Sequence, residues 1–191
     1  MKVSLGPKTI VHPHPVFLVG TYDSEDKPNL ATVSWGGICC SEPPCVAVSL
    51  REATLTFHNI KKNKAFTVGI PSASQSKIAD FAGVVSGRDT NKFRQAGLTA
   101  LKSEKVHAPY AEEFPYSLEC RLLHVLKIGL HTLFVGEIVN VLSDKEVLNA
   151  KGWPDIRKVN PILYGSRGNP SYFGMGEELG KAFHIGHELK K

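Results

Sequence analysis

No run of about 18 apolar residues occurs anywhere in this chain, which excludes a helix long and apolar enough to span a bilayer. Glycine is plentiful at 17 residues, yet neither a Gly-x-Gly-x-x-Gly nor a Walker-type loop is present, so a Rossmann fold or a nucleotide hydrolase finds no support. Cysteine is scarce: the four residues Cys39, Cys40, Cys45 and Cys120 make no C-x-x-C pair and no framework spacing. Adjacent Cys39 and Cys40 are poorly placed to bridge each other. Cys45 and Cys120 read as small buried or half-buried residues in a reducing compartment, while Cys39 and Cys40 stay open because they follow a glycine pair. The eight histidines show no zinc-enzyme spacing, and His12 and His14 around Pro13 are a weak metal signal. Aromatic content is only 8%, and Tyr116 and Arg121 do not make the interleaved cation–aromatic face of a nucleic-acid reader.

What is there suits a globule. Hydrophobic residues make up 42% and charged residues 21% of 191, ordinary for one compact domain spanning 1–191, with 174–191 as a C-terminal extension. The first residues, Met1 to Pro7, lack the apolar stretch of a signal peptide, which points to the cytoplasm. The net charge of +5 is dispersed; the densest cluster, Lys61-Lys62-Asn63-Lys64, reads as a solvated helix end. A modest positive surplus also suits an anionic ligand or an acidic partner.

The pattern predicts strands over Val16 to Tyr22 and Asn29 to Trp35, joined by the polar turn at residues 23–28. A third runs from Cys45 to Leu50, after the breaker Glu42-Pro43-Pro44. A short helix follows from about Thr54 to Lys62, with Leu55, Phe57 and Ile60 available to face inward. Ala65 to Ile70 is another apolar strand, and Ser72 with Gln75 opens a helix in capping-box register. Leu98 to Lys105 reads as irregular or a short edge strand. Tyr116 to Lys127 and Leu130 to Leu142 form a long hairpin across Ile128-Gly129. Ser143-Asp144-Lys145-Glu146 is a second capping box, and Ile162 to Tyr164 and Tyr172 to Phe173 close the chain as short strands. Strands outnumber helices and connect by hairpins, which favours a mainly β, antiparallel barrel with peripheral helices.

Three segments could carry chemistry. Ser49-Leu50-Arg51-Glu52-Ala53-Thr54 ends a strand and starts a helix, so unpaired backbone N–H groups, Arg51 and the hydroxyls of Ser49, Thr54 and Thr56 could meet a phosphate. An ordinary N-cap with a surface arginine fits the same residues. Thr32, Val33, Ser34 and Trp35 run into Gly36-Gly37, where backbone could approach a flat ligand closely; a strand with one polar face and a Gly-Gly turn is the plainer reading. Ser86-Gly87-Arg88-Asp89-Thr90-Asn91-Lys92 is a polar loop leading into a short helix, able to complete an anion site or to pair within itself. His131 begins a strand. His184-Ile185-Gly186-His187 spells an adenylate-binding signature of one class of aminoacyl-tRNA synthetase, but no nucleotide-binding fold follows it.

Taken in order, these pieces resemble the flavin reductase-like family, and within it the flavoredoxins. The matching stretches are Pro28 to Trp35, Val48 to Arg51 with Thr54, Phe66 to Pro71, Ser86 to Asp89, His131 to Glu137 and Pro161 to Tyr164. They extend from about residue 8 to 176. The resemblance implies a Greek-key split β-barrel that binds FMN and works as a homodimer with the cofactor near the subunit interface. Thr32, Val33, Ser34 and Trp35 would then line the isoalloxazine. Ser49, Leu50, Arg51, Thr54 and Thr56 would serve its polar edge, ribityl chain and phosphate, with Lys92 a phosphate contact from one subunit or the other. His131 would lie near the redox face as the catalytic group, Tyr164 near the ring, and Cys39 and Cys40, in the Gly-Gly-Ile-Cys-Cys stretch, against the flavin. Gly69 stands where many members carry asparagine. The activity implied is that of an FMN-dependent oxidoreductase or electron carrier, supplied by NAD(P)H or a redox protein. An NAD(P)H-dependent flavin reductase is the alternative within the family, and a small basic nucleic-acid-binding β-barrel the alternative outside it.

Overall fold

The structure, a computed structural model, describes residues 1–168 and 170–190. In chain order it contains β1 (His14–Pro15), β2 (Phe17–Tyr22), β3 (Pro28–Val33), β4 (Gly36–Ser41), β5 (Pro44–Arg51), α1 (Leu55–Asn63) and β6 (Ala65–Ile70). These are followed by α2 (Ser76–Val84), α3 (Lys92–Gln95), β7 (Ala100–Lys102), β8 (Pro109–Ala111), β9 (Tyr116–Lys127) and β10 (His131–Ser143). The chain ends with α4 (Ile156–Val159), β11 (Leu163–Gly165), β12 (Ser171–Phe173) and short 3₁₀ turns. No helix among the described residues is long and apolar enough to cross a membrane.

The main sheet has seven antiparallel strands in the order β3-β2-β6-β9-β10-β5-β4. Its two edge strands, β3 and β4, are also consecutive in sequence. Only Ser34 and Trp35 join them, a link that spans about 11 Å at most. A flat sheet would hold those edges several strand spacings apart, so the sheet must curl until they meet. The result is the antiparallel split β-barrel expected from the sequence, and the split lies where Ser34 and Trp35 cross it.

Alternation along the strands divides the core in two. Val19, Val46, Val48, Phe66, Val68 and Phe134 fill the barrel, and Phe57 and Ile60 of α1 plug one end. Leu18 and Leu30 point outward and are covered by Ala79 and Ala82 of α2 and Phe93 of α3. Strand β6 is buried at every position, because it lies mid-sheet between both cores. Gly136 lets β10 pass over the Phe66 ring; a Cβ there would stand 2.5 Å from the ring edge. At Gly69 the space a side chain would take is filled by Phe114, whose ring would be 2.5 Å from a Cβ. Packing thus explains why this chain has no asparagine there.

Several local expectations need correction. Gly36-Gly37 is not a turn: it opens β4, an edge strand absent from the sequence reading, which pairs with β5 along its length. Its Gly-Gly-Ile-Cys-Cys-Ser run lacks a period-two pattern because four of its six residues are exposed. Leu98 to Lys105, by contrast, does hold the short edge strand expected, β7, paired with β8. The box expected at Ser72 does form, with the Ser72 N–H donating to Gln75 Oε1 at 2.9 Å. The box at Ser143 does not form: Ser143 ends β10, and its hydroxyl donates to the Asp144 carbonyl at 3.2 Å.

Candidate functional site

The barrel's split opens into a cavity of about 420 Å³ bordered by the end of β3, the Ser34-Trp35 link and the end of β5. Thr32, Val33, Ser34 and Trp35 form one wall, Ser49, Leu50, Arg51 and Thr54 a second, and His131, Tyr164 and Tyr172 the mouth. Backbone pairing fixes this arrangement: the Ser49 N–H donates to the Trp35 carbonyl at 2.8 Å, and His131 is the register partner of Arg51. The Thr32 hydroxyl donates to the Ala79 carbonyl of α2, so it anchors the helix that closes the cavity's far side.

Aromatic rings stack across the mouth. Trp35 lies parallel to His14, centroids 5.1 Å apart at 7°, and parallel to His131 at 6.3 Å and 5°. Tyr164 packs against Tyr172 at 5.6 Å. The Tyr172 hydroxyl donates to Asp80 at 3.2 Å; burial, then that carboxylate, pushes the phenol up to about 12. His12 and His14 were candidate metal ligands in the sequence. No group of metal-ligating residues exists among the described residues. Both instead hold Ser166: His12 Nε2 donates to its carbonyl at 2.7 Å, and His14 Nε2 lies 3.0 Å from its hydroxyl.

A second, narrower cavity of about 240 Å³ continues from the first through Thr32, Leu50, Thr54, Gly83 and Val84. It is built around the start of α1. Thr54 caps that helix, accepting from the Phe57 N–H at 3.3 Å while its own hydroxyl donates to the Arg51 carbonyl at 2.9 Å. The first turn of α1 carries no acidic residue and the last carries Lys61 and Lys62. The helix dipole is therefore unopposed where an anion would sit. Thr56 is buried and accepts from Asn29 Nδ2 at 2.9 Å. Arg88 donates to the Ala53 carbonyl at 2.7 Å, pinning the 86–90 loop across the helix start. Lys92 is buried on the opposite wall, donating to the Ala82 carbonyl at 2.6 Å, and that burial lowers its ammonium to about 8.

The structure thus brings together twelve of the thirteen site residues expected from sequence, divided between two joined cavities. Arg51 borders the wide cavity and not the narrow one, where the cations are Arg88 and Lys92. Lys92 reaches the narrow cavity of its own chain. Cys39 is the exception: it stands exposed on β4, outside both cavities. Sequence reasoning missed His14, Asp80, Gly83 and Tyr172 as lining or stacking residues. They come from β1, α2 and β12, and only the approach of those elements to the split would have found them.

This geometry defines a split-barrel protein with two joined cavities, one edged by stacked aromatic rings and the other by a helix start and two cations. The chain matches the flavin reductase like domain over residues 10–170 and belongs to that family. The flavoredoxin of Desulfovibrio vulgaris (Miyazaki F) is 46% identical, with a TM-score of 0.92 over 97% of this chain and 100% of that one. The flavoredoxin from Methanosarcina acetivorans is 30% identical, with a TM-score of 0.91 over 99% of each chain. A ferric-chelate reductase (NAD(P)H) of Archaeoglobus fulgidus is 30% identical over 111 residues, 56% of this chain and 64% of that protein.

Proposed function

We propose that this protein binds FMN, with the ring in the wide cavity and the phosphate in the narrow one. It then works as a flavoredoxin-type oxidoreductase, passing electrons from a reduced donor to a protein or small acceptor. The observation that carries the reading is the join between the cavities: one end has aromatic walls and backbone amides, the other a capped helix start and two cations. The residues present fit the group, and the wide cavity's volume is in keeping with a small-ligand pocket. Bound FMN supplies hydride and single-electron chemistry. The chain's part is to hold and tune it. Trp35 and the backbone from Thr32 to Ser34 position the ring, Ser49, Leu50 and Arg51 meet its polar edge and ribityl chain, and Thr54, Thr56, Arg88 and Lys92 surround the phosphate. His131, stacked on Trp35, can hold a proton at the mouth, with Tyr164 beside it.

The reading includes a homodimer. Leu123, Val125, Leu126, Ile128 and Leu130 are exposed around the tip of the β9–β10 hairpin, next to Arg51 and His131. An apolar stretch of this kind suits burial against a second copy near the cofactor.

The absorption spectrum is the first test: a colourless protein that gains no flavin spectrum when mixed with FMN removes the reading. Oxidation of NADH or NADPH, with and without added free flavin, then separates the flavin-reductase version from an electron carrier. No turnover with either nucleotide eliminates the former.

Two variants test the assignments. Arg51→Ala should weaken FMN binding by about 1.5–3 kcal/mol, the worth of a hydrogen bond to a charged group, with little change in fold stability. Unchanged affinity in a titration refutes the role of Arg51. Lys92 predicts a pH dependence. Its folded-state value of about 8 lies below the unfolded one, so between these the unfolded chain binds more protons and apoprotein stability rises with pH. FMN affinity should move oppositely. A phosphate dianion favours charged Lys92, so binding above pH 8 takes up a proton and weakens by up to about tenfold per unit. Lys92→Met should flatten both profiles; a wild-type slope in that variant excludes Lys92 as the source.

A further inference from the structure

The four cysteines, three on the β4–β5 hairpin and Cys120 on the distant β9, converge on one end of the barrel, at the far end of β5 from the cofactor corner. Cys40 on β4 is the register partner of Cys45 on β5. Cys45 faces Glu137 of β10, and the next residue, Ile138, pairs with Cys120 of β9. Cys39 and Cys40 are exposed while Cys45 and Cys120 are buried, so the thiols lead from solvent into the core.

Of the possible pairs, Cys40 and Cys45 have the geometry of a bond. Directly opposed residues on antiparallel strands hold their Cα atoms about 4.5–5.5 Å apart with side chains on the same face. That separation falls within the roughly 4.4–6.8 Å a disulfide spans. The connection between them is short, with Ser41 paired to Pro44 across the turn. The Cys40 thiol donates to the Glu42 carbonyl at 3.3 Å, which holds it at the hairpin tip. Burial, then the neighbouring thiols of Cys40 and Cys39 and the Glu137 carboxylate, push the Cys45 thiol up. Cys120 is deeper, and burial first, then Cys45 and Glu119, raise it much further. Cys39 is the residue skipped at the register shift between Ile38 and Cys40, so it has no register partner on β5.

We propose that Cys40 and Cys45 form a thiol–disulfide couple that low-molecular-weight disulfides close reversibly. The Cys40 thiolate attacks one sulfur of the small disulfide RSSR, forming a mixed disulfide and releasing RS⁻, which takes up a proton. Cys45, losing its proton as it attacks, displaces the second RS⁻ from Cys40 Sγ and closes the Cys40–Cys45 bond. In sum the two protein thiols lose two electrons and two protons, and one RSSR becomes two RSH. Exposed Cys40 is the attacking thiol and buried Cys45 the resolving one.

The experiment treats the purified, flavin-loaded protein with glutathione disulfide and follows intact mass, alkylatable thiols after denaturation, and flavin absorbance. The expected result is a mass lower by about 2 Da, two of the four thiols blocked, no retained glutathione, and reversal by dithiothreitol. The Cys39→Ser/Cys120→Ser double variant should keep that change, Cys40→Ser should abolish it, and Cys45→Ala should retain one glutathione on Cys40. A loss of about 2 Da persisting in Cys40→Ser, or four free thiols in the treated wild type, overturns the proposal. Should Cys45→Ala not fold, the Cys40→Ser and double-variant arms decide alone. The couple does not rest on the cofactor reading, and the flavin absorbance reports separately on that.

Discussion

Riboflavin is expected to bind this protein about 100- to 1,000-fold more weakly than FMN in paired fluorescence-quenching titrations at pH 7. The two ligands differ by the phosphate alone, so the ratio isolates the narrow cavity. There the start of α1 offers unpaired N–H groups with no acidic side chain in the first turn. Arg88 crosses that start, and Lys92 is mostly protonated at pH 7 because its value is about 8. A charge-assisted contact is worth about 1.5–3 kcal/mol and a helix terminus up to about 1 kcal/mol. Contacts to one phosphate do not add fully, so about 3–4 kcal/mol is the expected sum. A bare N-cap with exposed cations would give less than about tenfold. Equal affinities for the two ligands would contradict the placement of the phosphate while leaving the ring site standing.

Phe134→Ala should destabilise the fold by about 3–5 kcal/mol, seen as a fall of more than about 1 M in the urea midpoint. Phe134 is fully buried on β10 opposite Val48, where its removal leaves a cavity that strands on either side cannot collapse to fill. Its ring meets Phe57 edge-on, with centroids 5.3 Å apart at 86°. Phe57 belongs to α1, and its N–H is the one that Thr54 caps. The loss should therefore reach the cofactor: the surviving folded fraction should bind FMN less tightly than wild type, although residue 134 touches neither cavity. A loss below about 1.5 kcal/mol would mean that the barrel core repacks, and that α1 is held by something else.

Much of the site was legible because its pieces sit in continuous segments. Thr32 to Trp35 and Ser49 to Thr54 each combine a strand end with small or hydroxyl residues, and their chemistry can be read locally. Yet each alone fits an ordinary strand end or an ordinary helix cap. What joins them is the curl of the sheet. The Arg51 assignment shows the limit most clearly. Sequence placed it at the phosphate because it precedes the helix; in the structure it borders the wide cavity, and the narrow one is lined by Arg88 of the 86–90 loop and Lys92 at the start of α3. Strand β4 was missed for a related reason: an edge strand with exposed residues has no alternation to read, and it forms because β5 offers it a ladder of unpaired backbone groups.

By itself, then, the sequence determined the β-rich antiparallel character, the strands β2, β6, β9 and β10 almost to the residue, and the local chemistry of the Ser49 to Thr54 corner. Those features depend on side-chain periodicity and on backbone groups a few residues apart, which a linear reading contains. Only the tertiary structure decided that β3 and β4 meet as the two lips of one split, that His14 stacks on Trp35, and that Lys92 and Arg88 are the cations of the narrow end. It also brought Cys120 to the hairpin that carries Cys39, Cys40 and Cys45, at the opposite end of β5. Each of these depends on how the sheet closes and on which strands pair, and not on any local periodicity.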